Sequence, residues 1–167
     1  MIRALPPYIA VVGPGDASTE LCAAAEEVGA LLAAAGAVLV TGGLGGVMAA
    51  ASRGAKSAGG VTLGLLPGKD RAAANPWVDI AVATGLAEGR NLLVVTAADG
   101  VVAVGGSWGT LSEVALATRA GLPVVAIGGW HVVDGDGAAM PGSPHPGRTS
   151  AEAVAAVLSA VRDTNHT

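Results

Sequence analysis

Short, largely apolar runs alternate along this chain with longer segments of helical period, and most of the junctions between them are rich in glycine. Tyr8–Val12, Ala37–Thr41, Val61–Leu66, Ile80–Ala83, Val101–Val104 and Val124–Ile127 read as strands. Their apolar residues are consecutive rather than alternating, the pattern of strands covered on both faces. Such strands form a parallel sheet between two layers of helix. Leu21, Ala24, Ala25, Val28, Leu31, Leu32 and Ala35 recur at helical spacing, as do Val47, Met48, Ala51, Ala55 and Ala58, and later Leu111, Val114, Ala115 and Thr118. Gly36 and Gly121 stand where left-handed caps end helices. Residues 85–98 are ambiguous by period alone and are read as helix, because Asp99-Gly100 and a clear strand follow. Residues 128–148, rich in Gly and Pro, read as a loop that is either mobile or a covering flap. Thr149 and Glu152 have capping-box spacing and open a last helix running to about Val161. The expected fold is one α/β domain over residues 1–167: three layers, a doubly wound, mostly parallel sheet with helices on both faces.

Composition narrows the function. A chain of 167 residues suits one domain with one sizeable core. Hydrophobic residues make up 51% and charged residues 13%, too apolar a balance for a disordered chain. With 26 Gly, three Trp, one Tyr and no Phe, the core is built of Ala, Val and Leu, so helices pack close to the sheet and backbone can approach a ligand. A net charge of −4 argues against a nucleic-acid partner, which needs a basic stripe. It also means that a phosphate site rests on backbone N–H groups and helix dipoles, with one or two cations helping. The single cysteine, Cys22, excludes an internal disulfide and a cysteine metal cluster, and reads as a small buried hydrophobe. The opening residues are broken by Pro6 and Pro7 and do not read as a signal peptide, and no run reaches the roughly 20 apolar residues of a bilayer span. A cytoplasmic protein without a membrane partner is expected.

In open parallel sheets, ligands sit beyond the carboxyl ends of the strands. Three glycine-rich turns fall there: Gly13-Pro14-Gly15, Gly42-Gly43-Leu44-Gly45-Gly46, and Gly105 to Thr110. The last two run directly into helices, where positive φ angles and free helix donors make an anion nest. Gly13, Gly42, Gly43, Gly45, Gly46, Gly106, Ser107, Gly109 and Thr110 are the candidate phosphate- and ligand-binding residues. Neither turn is a P-loop, since no Gly-Lys-Ser/Thr follows, and Gly13-Pro14-Gly15 lacks the third glycine of a dinucleotide fingerprint. Glu113, one turn into a helix, is either a surface capping residue or a carboxylate that holds ribose hydroxyls or stabilises charge developing at a sugar carbon. Arg90, ahead of the apolar Leu92–Val95, is either a solvated helix-end cation or a bidentate partner for phosphate or carboxylate. Lys69 and Arg71 are further phosphate candidates. His131, His145 and His166 share no metal-ligand spacing, so no metal is expected. Ser107 has nucleophile-elbow spacing within Gly105-Gly106-Ser107-Trp108-Gly109, with His131 or His145 as a later base, which gives a serine-hydrolase alternative.

Four segments, in order over roughly residues 8–127, resemble one superfamily: Thr41-Gly42-Gly43-Leu44-Gly45-Gly46-Val47-Met48, Gly60-Val61-Thr62-Leu63-Gly64-Leu65-Leu66-Pro67, Gly89-Arg90-Asn91, and Gly106-Ser107-Trp108-Gly109-Thr110-Leu111-Ser112-Glu113. It is the LOG-type, lysine decarboxylase-like superfamily of Rossmann-like nucleotide-binding proteins. The superfamily includes cytokinin nucleoside monophosphate phosphoribohydrolases and molybdenum cofactor carrier proteins. The hydrolase loop reads Pro-Gly-Gly-x-Gly-Thr-x-x-Glu. Gly106, Gly109, Thr110 and Glu113 match it, while Gly105 replaces the proline and Ser107 the second glycine. Arg90 matches the family's arginine, and Asn91 stands in place of the usual lysine. The resemblance implies Arg90 and Glu113 as a catalytic pair, with the glycine turns holding a 5′-phosphate and ribose. The implied reaction hydrolyses the N-glycosidic bond of a nucleoside 5′-monophosphate to free base and ribose 5-phosphate. Glu113 would stabilise an oxocarbenium-like transition state and Arg90 would fix the phosphate or Glu113. Asn91 and Ser107 look nearer the carrier branch, and the alternative is a non-catalytic carrier of a nucleotide or a molybdopterin-type phosphorylated cofactor. The resemblance calls for no required cofactor, allows a bound nucleotide or phosphate, and implies a homodimer or higher homo-oligomer.

Overall fold

The computed structural model describes residues 5–164, so His166 lies outside the described residues. Strands β1 (Tyr8–Val12), β2 (Val38–Thr41), β3 (Thr62–Leu66), β4 (Ile80–Ala83), β5 (Gly100–Val104) and β6 (Val124–Ile127) fall on the apolar runs. A seventh strand, β7 (His145–Pro146), adds to the outer edge of β6. Its two residues carry no readable alternation, and its proline, which offers no N–H, is tolerated at a sheet edge. The order is β4-β3-β2-β1-β5-β6-β7, and every pairing is parallel.

The helices are α1 (Thr19–Ala34), α2 (Val47–Ser57), α3 (Arg90–Thr96), α4 (Trp108–Arg119) and α5 (Ser150–Thr164). The ambiguous stretch at residues 85–98 resolves into a single turn of 3-10 helix, Ala87–Gly89, followed by α3. The capping box forms reciprocally. Thr149 Oγ1 accepts from the Glu152 N–H at 3.1 Å, and the Glu152 carboxylate accepts from the Arg148 N–H at 3.1 Å.

One sheet face (Ile9, Val11, Leu39, Val102, Val104) packs against α1, α2 and α5 through Val28, Leu32, Val47, Ala51 and Val157. The opposite face (Ala10, Val12, Val40, Val101, Ala103) packs against α3 and α4 through Val94, Val95, Val114 and Ala117. The chain moves outward from β1 to β4, then returns through α3 on the other face to place β5 beside β1. The strand order therefore reverses between β1 and β5, and the turns leaving β1, β2 and β5 open side by side at that switch point. Residues 128–148 carry β7 and otherwise form a largely exposed loop between β6 and α5. An antiparallel bridge joins Val133 to Ala139, and Val132, Met140 and Pro144 line an open groove together with Leu111, Val114 and Thr118 of α4.

Helices α1 and α2 cross at two glycines. A Cβ on Gly29 would overlap the Ala51 carbonyl, and one on Gly54 would overlap the Glu26 carbonyl. Alanine at position 54 would gain about 1 kcal/mol of helix propensity. Separating two packed helices costs about 1–3 kcal/mol or more, so the steric effect wins. Gly54→Ala is expected to lower the urea midpoint of unfolding; an unchanged or raised midpoint would show that the crossing is not tight.

Candidate phosphate and ligand site

Thr41 ends β2 fully buried, and its Oγ1 accepts from the Gly43 N–H at 3.1 Å. This contact starts the turn that leads to α2. Asn75, which no sequence pattern singles out, clamps the turn from outside. Its N–H donates to the Gly43 carbonyl at 2.8 Å and its Nδ2 donates to the Leu44 carbonyl at 3.0 Å. Gly46 sits at φ 57° as the N-cap of α2, and the helix starts without a side-chain cap. Its first-turn donors are therefore left to backbone or ligand.

The first two glycine turns pack on each other. The Val47 N–H donates to the Pro14 carbonyl at 3.1 Å, and Gly45 lies against the Gly15 carbonyl. A Cβ on Gly46 would overlap the Pro14 and Gly15 carbonyls, and one on Gly13 would meet Val104 and Val47. Packing alone thus accounts for glycine at positions 13 and 46.

Gly42 differs, because the group pressed against it is a side chain from the other sheet face. A Cβ there would overlap Arg90 Nη1. Arg90 opens α3 and is only 8% exposed. Its Nε and Nη1 are buried with no hydrogen-bond partner among the described residues. The preceding turn holds Ala87 at φ 48°, a left-handed conformation that costs a non-glycine residue on the order of 1 kcal/mol and that turns the chain into α3. The solvated-cation reading of Arg90 is corrected: the guanidinium lies inside the protein, under the Gly42 turn.

Glu113 is 7% exposed on the inner side of α4, so it is not a surface capping residue. Burial lifts its carboxyl to about 7, against the opposing pull of the Arg90 charge. Burial also lowers the Arg90 pKa, and the Glu113 charge partly offsets that. Desolvation thus dominates at both groups. Among the described residues no ion pair closes between them, so the two charges face each other across a gap.

The turn after β5 carries different furniture. Gly105 sits at φ 68°. Ser107 is the N-cap of α4: its Oγ accepts from the Thr110 N–H at 3.2 Å and shares a hydrogen bond with Thr110 Oγ1 at 2.9 Å. That capping role explains the serine without a nucleophile. His145 lies in β7 at the sheet edge, and His131 is exposed beyond β6. Thr110 is buried, a Cβ added at Gly109 would meet only the Ser107 hydroxyl, at 3.8 Å, and the Gly109 carbonyl accepts from Ser112 Oγ at 2.7 Å. Gly106 lies directly beneath Trp130, whose Nε1 donates to the Ser107 carbonyl at 3.0 Å. Trp108 meets Trp130 with ring centroids 5.1 Å apart.

Asn91 Nδ2 donates to Ser112 Oγ at 2.9 Å, tying α3 to α4. The usual cation at this position is therefore replaced by a neutral cross-brace. Lys69 and Arg71 are exposed on the loop after β3 and do not join the buried pair. Asp134 Oδ1 accepts from the N–H groups of Asp136 and Ala138, which organises its own turn. Cys22 is half-buried against the α1 side of the core. No described helix is long and apolar enough to cross a membrane.

Comparisons with known proteins agree with this fold. Residues 6–154 match the model of the SLOG cluster4 family. A relative in Archaeoglobus fulgidus, an uncharacterised protein, is 41% identical over 127 residues, covering 76% of this chain and 83% of its own. The molybdenum cofactor binding protein of Rippkaea orientalis has a similar structure, with a TM-score of 0.83 at 35% identity over 93% of this chain and 97% of that one. The molybdenum cofactor carrier protein of Chlamydomonas reinhardtii aligns with a TM-score of 0.80 at 35% identity, over 95% and 99% of the two chains. The parallel switch-point sheet, the paired glycine turns and the buried Arg90–Glu113 couple thus belong to a chain of the SLOG cluster4 family, within the LOG-like superfamily.

Proposed function

We propose that this protein binds a phosphorylated, nucleotide-like ligand at the switch point and carries it unchanged, with a molybdopterin-type cofactor or a nucleotide as cargo. The observation that carries the reading is the Arg90 guanidinium, buried under Gly42 with Nε and Nη1 unpartnered. An unsatisfied buried cation destabilises the free protein, and an anion brought to the mouth relieves it. The uncapped start of α2 supplies donors of the same polarity. The molybdenum cofactor proteins of Rippkaea and Chlamydomonas support the carrier reading, as do the cap at Ser107 and the neutral brace at Asn91. The ligand-loaded protein would be a cytoplasmic homodimer or higher homo-oligomer.

Hydrolysis of the N-glycosidic bond is the second reading, and Glu113 favours it. A carboxyl with a pKa of about 7 beside a fixed cation can stabilise a developing oxocarbenium and exchange a proton with water near neutral pH. Incubation with adenosine 5′-monophosphate (AMP), followed by chromatography for free adenine, separates the two. The carrier reading expects a raised melting temperature and no adenine. Adenine release that disappears in Glu113→Gln would establish the hydrolase instead. If AMP, ribose 5-phosphate and a pterin phosphate ester all leave the melting temperature unchanged, both readings fall.

A further inference from the structure

We infer that Trp108 and Trp130 form an aromatic platform on which the planar heterocycle of the ligand stacks; this deepens the phospholigand reading and rests on it. Only three tryptophans and one tyrosine occur in the whole chain, and two of these rings meet at the mouth of the third glycine turn. Trp130 is fixed twice, by its Nε1 hydrogen bond to the Ser107 carbonyl and by the bare backbone of Gly106 beneath its ring. Fixed in this way, it tilts at 35° to Trp108 and braces it. Trp108 itself, the first residue of α4, is 77% exposed.

Burying so large an apolar ring is favourable, so a braced but uncovered tryptophan points to a surface that is covered in use. The ring forms one wall of a cleft of about 470 Å³ between the heads of α3 and α4. That volume suits a ligand of nucleotide size. Gly89, next to Arg90 in the chain, and Gly109, in the first turn of α4, line the same cleft with Glu88, Leu92 and Leu116, while the buried Arg90 and Glu113 side chains are not part of its wall. Asn91, whose Nδ2 also donates to Ser112 Oγ, offers its remaining amide groups to the edge of a ring seated on Trp108. Ribose and phosphate have no flat face, so the platform would separate ring-bearing ligands from ribose 5-phosphate.

The test is calorimetric titration of the full chain and of its W108A and W108F variants with AMP, with a pterin phosphate ester and with ribose 5-phosphate, alongside light scattering. The wild type should bind at least one ring-bearing ligand more tightly than ribose 5-phosphate, and the preferred ring identifies the cargo class. W108A should weaken that ligand about tenfold, the usual scale of a lost stacking contact, while leaving ribose 5-phosphate unchanged. W108F should restore most of the loss. Equal losses for ribose 5-phosphate and the ring-bearing ligands would make Trp108 a structural support and overturn the platform. A change of oligomeric state in W108A with no change in affinity would make the ring an interface between copies and also overturn it. Binding of ribose 5-phosphate with no gain from either ring removes the platform and leaves the anion site standing. If none of the three binds, the phospholigand reading falls and the platform falls with it.

Discussion

Glu113→Gln is expected to stabilise the ligand-free protein by about 3 kcal/mol near pH 8.5 and to leave it unchanged near pH 4. The sign follows from the direction of the shift. Burial raises the Glu113 carboxyl to about 7 in the folded chain, from an ordinary value near 4.5 when unfolded. The folded state holds the proton more tightly, so the stabilisation is fully present below about pH 4.5 and is lost as pH rises through about 7. Above that range the native protein carries a buried carboxylate that the nearby Arg90 does not fully compensate. Glutamine keeps the shape and removes the ionisation, so the variant's stability should be flat where the wild type declines. For a chain of this size, 3 kcal/mol corresponds to roughly 6–12 °C in melting temperature. Denaturant titrations of both proteins across pH 4–9 measure it directly. Parallel curves would mean that Glu113 titrates at its ordinary value and is solvated in solution.

The sign also separates a retained carboxylate from a structural one. A group kept for stability makes the protein weaker when replaced, whereas one that holds charge for a ligand or a reaction makes the empty protein stronger when neutralised. Glu113 stood at the right place in the sequence to be functional. What the sequence left open was whether it faced solvent or the sheet, and the helical phase of α4 fixes that: Thr110, Val114 and Ala117 are buried with it. Arg90 was legible in the same incomplete way. Its position before an apolar segment suggested a pocket, but the partner pressed against it, Gly42, is 48 residues away in the chain and on the opposite turn.

The parallel sheet was legible because consecutive apolar residues admit few other arrangements. The two-residue β7 was not, because its neighbours in β6 create it. Gly13 and Gly46 matched an anion turn by residue type, yet contacts with Val104 and with the Pro14-Gly15 carbonyls already require glycine there. Asn75 and Trp130 lay outside every pattern, and Trp108 filled only the free position of the Gly106–Glu113 motif. Asn75 acts through a turn it does not adjoin, and the tryptophans meet only because the chain after β6 folds back over Gly106.

Arg90→Met should move affinity and stability in opposite directions. Methionine fills much of the same space against Gly42 and Met48 without charge. It therefore removes a buried cation whose Nε and Nη1 lack partners, and the free protein should gain stability below about pH 7, where Glu113 is protonated and needs no counter-charge. Truncating one side of a buried, hydrogen-bonded charge contact costs about 2–5 kcal/mol of binding, so affinity for ribose 5-phosphate should fall by roughly two to three orders of magnitude. Arg90→Lys keeps the charge but loses the planar fork and should fall between the two. A linked effect sharpens the test. With the Arg90 charge gone, nothing opposes burial at Glu113, and its titration should move above about 7. Calorimetry, thermal melting and a pH series on one variant therefore give three signed outcomes. Weaker binding with a lower melting temperature would make Arg90 a structural residue. Unchanged phosphate affinity would move the anion to another cation, with exposed Lys69 and Arg71 next in line. Only the combination of a sturdier empty protein, a lost anion and a raised Glu113 titration fits a guanidinium held in reserve for its ligand.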